Sequence, residues 1–289
     1  MSHRVLVTGA TGTVGSALVE RLRASPVPVR VAARSPDAAR ERFGDGPESV
    51  AFDLTRPETW GAALDGVDRL FLLFPPRVGV RPVTAFVDAA VRTGVERVVT
   101  LSVVGADRVP VLPHRRIERH VERAGPAYTH LRAGWFVQNL SGVHRPDVVE
   151  RDELFVPAGR AALHLVDARD VAAVAATALT EAGHENRAYD LTLPEPLDFD
   201  AVAAAFSDVL DREIRYSAPS HLAFVRRLSR RGVPRSLVAF MALEYAVVRL
   251  GLASRTTDDL RRLLGRDPTS VEQFVADNRE AFAPAGRDG

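Results

Sequence analysis

The run Val5-Leu6-Val7-Thr8-Gly9-Ala10-Thr11-Gly12-Thr13-Val14-Gly15 decides how the rest of this chain is read. Three apolar residues predict a short strand, and the glycines at 9, 12 and 15 are spaced i, i+3 and i+6. Ser16-Ala17-Leu18-Val19-Glu20-Arg21-Leu22 continues with helical spacing. Strand, glycine turn and helix in that order bring backbone N–H groups, and the positive end of a helix, against a diphosphate. The same glycine spacing also serves as a plain turn between a strand and a helix, so its meaning depends on the context.

That context is a series of short apolar runs. Val29–Ala33 predicts a second strand, 49–53 a third, 70–74 a fourth, 98–102 a fifth and 128–131 a sixth, while 83–91 has helical periodicity and stops before Gly94. Strands alternating with helices predict an α/β fold with a doubly wound parallel sheet, whose ligands sit beyond the carboxyl ends of the strands. Gly9, Thr11, Gly12, Thr13, Val14 and Gly15 fall at those ends, with Arg34, Asp53-Leu54, Leu73-Phe74-Pro75, Ser102 and Ala133-Gly134. Past residue 135 the alternation breaks. Residues 163–171 read as a strand end entering an alanine-rich helix with Asp170 in its first turn, and Arg187–Leu191 as a return to the sheet. The remainder reads as mainly helical, with starts near Asp198, Ser220, Thr257 and Thr269. The expected organisation is a nucleotide-binding domain of 1–135 and 162–195, with 136–161 and 196–289 as a smaller substrate region.

Composition narrows the chemistry. There is no cysteine, which excludes thiolate catalysis and Cys-based metal sites, and no metal site is expected. There is also no lysine, so all 38 basic residues are arginine: anion clamps that do not shuttle protons and cannot form Schiff bases. A formal charge of +1 gives no argument for a nucleic-acid partner. The chain enters a strand almost at once, so no signal peptide is expected; 237–253, interrupted by Glu244 and Arg249, reads as a packed helix rather than a membrane span. The expectation is a cytoplasmic protein, monomer or homodimer, acting on a small molecule, with a frayed tail after Pro284.

Arg34 directly follows the second strand, where an acid would bind a ribose 2′-hydroxyl and an arginine suits a 2′-phosphate. The reading is therefore NADP(H), the alternative being a solvated surface arginine. Asp53 is placed to meet the adenine amino group or, equally, to cap the turn before Pro57.

These residues resemble the NmrA-like group of atypical short-chain dehydrogenase/reductases, and within it the reductases of the ergot-alkaloid-biosynthesis type and their actinobacterial relatives. The resemblance runs through residues 8–15, Ala33-Arg34-Ser35-Pro36, 57–60, 85–90, 118–122, 129–139 and 264–274. It implies an NADP-binding Rossmann fold with a small C-terminal substrate region, and either hydride transfer or nucleotide sensing. Ordinary short-chain reductases use a Tyr-x-x-x-Lys pair; here the tyrosine's place falls near His114 and the lysine's on Glu118. Reducing a ketone needs a proton as well as hydride, whereas reducing an iminium needs hydride alone, with conjugated enones and quinones between the two. The expected reaction is thus NADPH-dependent reduction of an iminium, enone or quinone-type molecule in secondary metabolism. A non-catalytic redox sensor and a non-redox cyclase or isomerase are the alternatives. Ser102 is expected either to donate a hydrogen bond to substrate or to close its strand end. His114 is either a proton donor or an exposed helix start. His120 reads as surface, and Tyr245 with Arg249 as packing plus a solvated charge. Trp135 and Phe136 either wall the nicotinamide pocket or pack in the core.

Overall fold

Residues 3–75, 77–249 and 256–284 are described in this computed structural model. Seven strands hydrogen-bond in one sheet, every neighbouring pair parallel. They are β1 (Val5–Val7), β2 (Val29–Ala33), β3 (Glu48–Ala51), β4 (Arg69–Leu73), β5 (Arg97–Val103), β6 (Ala127–Ala133) and the strand Arg187–Leu191. Their order across the sheet is Arg187–Leu191, β6, β5, β4, β1, β2, β3. The chain therefore runs outward from β1 to β3 and then crosses back to β4. That reversal puts the switch point of a Rossmann sheet between β1 and β4, where such folds bind their ligands. Every residue of β1 and β2 is buried, as helices covering both faces require.

Four helices follow the first four strands and a fifth follows β5: α1 (Thr13–Arg23), α2 (Pro36–Phe43), α3 (Trp60–Leu64), α4 (Val80–Arg92) and α5 (Pro113–Ala124). On one face Phe86 of α4 packs against Phe52 and Trp60, with ring centroids 4.8 and 5.4 Å apart, in a core that includes Leu70, Leu72, Val98 and Ile117. Across the other face α1 packs on the helix Ala168–Thr180.

The chain divides into two compact units. Residues within Met1–Ala133, Ala168–Leu191 and Asp259–Arg266 form the first, and those within Gly134–Asp167, Thr192–Asp258 and Asp267–Gly289 the second. The helix Asp259–Leu264 thus belongs with the sheet, a departure from the expected limits: Asp259 accepts a hydrogen bond from the Asp190 amide and Arg266 pairs with Asp170. The second unit is built from the helices Phe199–Leu210, His221–Arg230, Arg235–Arg249 and Val271–Asp277, around Trp135, Phe199, Phe206, Phe224, Tyr245 and Phe274. Of the stretch 237–253, residues 250–253 lie outside the described residues, as does the tail beyond 284. Among the described residues no helix is long and apolar enough to cross a membrane.

Candidate active site

Thr8 fastens the glycine turn to β4. Its amide and hydroxyl both donate to the Phe71 carbonyl, at 3.1 and 2.9 Å, and its Oγ1 accepts from the Leu73 amide at 2.9 Å. The turn closes with the Gly12 amide donating to the Gly9 carbonyl at 2.9 Å. Gly9 has φ +63°, and at Gly15 a Cβ would overlap the Gly9 carbonyl oxygen and lie 2.9 Å from the Ala10 Cα. Only glycine permits that approach of helix to loop. No side chain caps α1 and no acid sits in its first turn, so its N–H groups and positive dipole end remain available to an anion. Thr11, Gly12 and Thr13 are exposed there, while Val14 and Gly15 are buried.

Arg34 leaves the end of β2 exposed, and among the described residues its guanidinium makes no hydrogen bond or salt bridge. The turn after it is fixed by Ser35, whose Oγ accepts from the Ala38 amide at 3.4 Å to cap α2. A second arginine, missed in the sequence, reaches the same loop: Arg42 donates to the Thr11 carbonyl at 2.9 Å. Its only signal was its place on α2, and nothing in the residue order says that this helix leans on the loop. The third strand ends earlier than the predicted 49–53, so Asp53 lies in a turn. Its Oδ1 accepts from the Thr55 amide and hydroxyl at 2.8 and 2.7 Å, and these bonds hold the carboxyl below its ordinary range. One Asp53 oxygen is therefore spent on the turn. Leu54 is buried beside it, and Leu73, Phe74 and Pro75 are half-buried at the end of β4.

Ser102 and Arg132 are register partners on β5 and β6, and both meet Glu118 of α5. Ser102 Oγ donates to Glu118 Oε1 at 2.6 Å, while Arg132 donates through Nε at 3.0 Å and Nη2 at 2.9 Å. Arg115 adds a bond to Oε2 at 2.9 Å. Burial pushes the Glu118 carboxyl up, but the bonds from Arg132 and Ser102 outweigh it and hold the group at about 2. The carboxylate stays ionised, so the serine hydrogen points at Glu118 and only the lone pairs of Ser102 face elsewhere. The buried carboxylate of Glu118 is thus neutralised by arginine, and Arg132 and Arg115 are partners that the sequence reading did not identify.

Glu122 and His130 extend the cluster. Ligand atoms of Glu118, Glu122 and His130 lie within 4.8 Å of one another, yet Arg115 bridges the two carboxylates and supplies the cation. His130 Nδ1 shares a hydrogen with Thr100 Oγ1 at 2.7 Å, and burial lowers its pKa to about 4. His114 is half-buried with its ring edge-on to Phe74, centroids 5.2 Å apart, and burial lowers its pKa. A cavity of about 10 Å³ between His114, Phe74, Ser102 and Glu118 has room for a single water. His120 is bonded to Asp88 at 2.7 Å on another face of α5.

In the second unit Trp135 is a core residue, its ring 5.7 Å from Phe199 and 6.4 Å from Tyr245. Tyr245 is fully buried with its hydroxyl 2.7 Å from His144 Nε2, Phe136 is half-buried, and Arg249 is exposed.

Residues 1–275 match the NmrA-like family. The chain belongs to that family. Among its relatives, the NAD(P)H azoreductase of Xenophilus azovorans is 34% identical over 288 residues, covering 97% of this chain and 100% of that one. The (4-alkanoyl-5-oxo-2,5-dihydrofuran-3-yl)methyl phosphate reductase of Streptomyces griseus is 33% identical, covering 97% and 99%. In structure this NmrA-like chain is similar to the triphenylmethane reductase of Citrobacter sp. complexed with NADP(H), with a TM-score of 0.83, 26% identity and coverage of 95% and 99%.

Proposed function

We propose that this NmrA-like chain is an NADPH-dependent reductase acting on a small molecule with a conjugated electrophile: an iminium, an enone or a quinone of secondary metabolism. One observation carries the reading. The uncapped first turn of α1, with no room for a Cβ at Gly15, is joined by an arginine at the end of β2 that makes no hydrogen bond or salt bridge among the described residues. The NADP(H) held by the Citrobacter reductase supports it.

In this reading Gly9, Thr11, Gly12, Thr13, Val14 and Gly15 hold the pyrophosphate. Arg34 holds the 2′-phosphate, and the second oxygen of Asp53 with Leu54 meets the adenine. Leu73, Phe74, Pro75 and Ser102 line the nicotinamide end; Phe136 is assigned to substrate binding, with Trp135 as its packing support. When bound, the reduced nicotinamide supplies a hydride. Ser102 orients donors by accepting from them, and it is not an acid, because Glu118 at about 2 has no proton to return near neutrality. His114 is the remaining proton source; burial makes it neutral at pH 7. An iminium, whose reduction consumes no proton, fits this site best.

The test is NADPH oxidation, followed by absorbance, against a panel of iminium, enone and quinone acceptors. Turnover with at least one is expected. With a neutral enone or quinone the rate rises as pH falls through the lowered His114 pKa, and His114→Ala removes the rise. With an iminium the rate is flat. Tight binding of both NADP forms without oxidation by any acceptor replaces the reductase with a redox sensor, a reading favoured only by the locked Ser102–Glu118–Arg132 set.

A further inference from the structure

The outer face of α5 carries a second cluster of arginines that the proposed reaction does not use. Arg116, Arg119 and Arg123 fall at i, i+3 and i+7, and with Arg81 and Thr84 of α4 they line a groove of about 450 Å³ closed on one side by His120. Among the described residues, none of these four guanidinium groups makes a hydrogen bond or ion pair. Asp88 of α4 is bonded to His120. The inner face of the same helix is arranged differently, since Arg115 there is paired with both Glu118 and Glu122. Like charges at i, i+3 and i, i+4 on one helix repel, and three such side chains along about 10 Å of helix gain a common counterion only from outside. The groove also begins at the first turn of α4, where Val80 and Arg81 line it. That helix has Gly79 as its N-cap, no capping side chain and no acid in its first turn.

We propose that the α4–α5 groove is a binding site for a small phosphate-bearing anion, separate from the glycine loop. Planar guanidinium forks match phosphate oxygens two at a time, and a helix N-terminus adds unpaired N–H donors to the same charge. A diphosphate, with charge at both ends, spans Arg81 and the α5 arginines in a way that a single carboxylate does not.

The experiment is an amide NMR titration of the full chain with sodium pyrophosphate at low ionic strength, repeated with ADP. Saturable shifts are expected in the first turn of α4 and on the outer face of α5, distinct from any shifts in the glycine loop. The tighter of the two anions tells whether a free phosphate or a nucleotide is the source. The exposed double variant Arg116→Gln with Arg119→Gln should weaken the α4–α5 response roughly tenfold and leave the glycine-loop response unchanged. Shifts confined to the glycine loop, or equal affinity in the double variant, overturn the proposal. So does tighter binding in the groove by a polyglutamate peptide than by pyrophosphate, which marks a surface for acidic protein.

Discussion

Removing one member of the Glu118–Arg132 pair leaves its partner buried without a counterion, since Glu118 is 1% exposed and Arg132 8%. Glu118→Gln should cost about 3–5 kcal/mol, seen as a lowered denaturant midpoint. Replacing both, as Glu118→Leu with Arg132→Met, should recover most of that loss. A Glu118→Gln protein with an unchanged midpoint contradicts the charge balance described for this site. The spacing carried over from the resemblance singled out Glu118, but nothing in the sequence pointed to its bond with Ser102. Its arginine partner was not legible either. Arg132 is brought opposite Ser102 by the β5–β6 register, and a register between strands that far apart leaves no local mark. The same blindness hid Arg42, whose bond to Thr11 crosses 31 positions of chain.

For the elements, the glycine turn allows the sharpest prediction. Gly15→Ala places a methyl group against backbone atoms of Gly9 and Ala10 that have no freedom to move aside. It should cost about 1–3 kcal/mol in thermal or denaturant stability and abolish dinucleotide binding; retained binding shows that the loop does not hold the pyrophosphate. Strand existence and order of use were readable here, from β1 through the return strand Arg187–Leu191. Strand ends were less so. Residue 52 is apolar and buried and its amide still bonds to the Ala33 carbonyl, so the apolar pattern runs on past the last residue of β3. Helix starts marked by a capping side chain were legible: Asp198 and Ser220 each accept from the amide three residues on. The start expected near Thr257 falls instead at Asp259. The pairs Trp135–Phe136 with Leu165–Val166, and Glu153–Phe155 with Arg215–Ser217, are too short to show any alternation.

Across the whole molecule, histidines lowered by burial shape the response to acid, His114 and His164 among them. His130 in the first unit and His144 in the second are each lowered by burial from 6.5 to about 4. Both are neutral when folded and gain a proton on unfolding, so their contribution is complete above about 6.5 and is lost as pH falls toward 4. The loss amounts to up to about 3 kcal/mol for each, and melting temperature should fall across that window. Glu118 adds a later loss, present above 4.5 and gone as pH falls through about 2. A melting temperature constant between pH 6.5 and 4 contradicts the neutral burial of the two histidines. The proposed grip of Arg34 on a 2′-phosphate is tested most directly by fluorescence titration of Arg34→Ala with NADPH and NADH. NADPH affinity should fall by about 2 kcal/mol, roughly 30-fold, with NADH nearly unchanged; equal weakening of the two, or of neither, contradicts it.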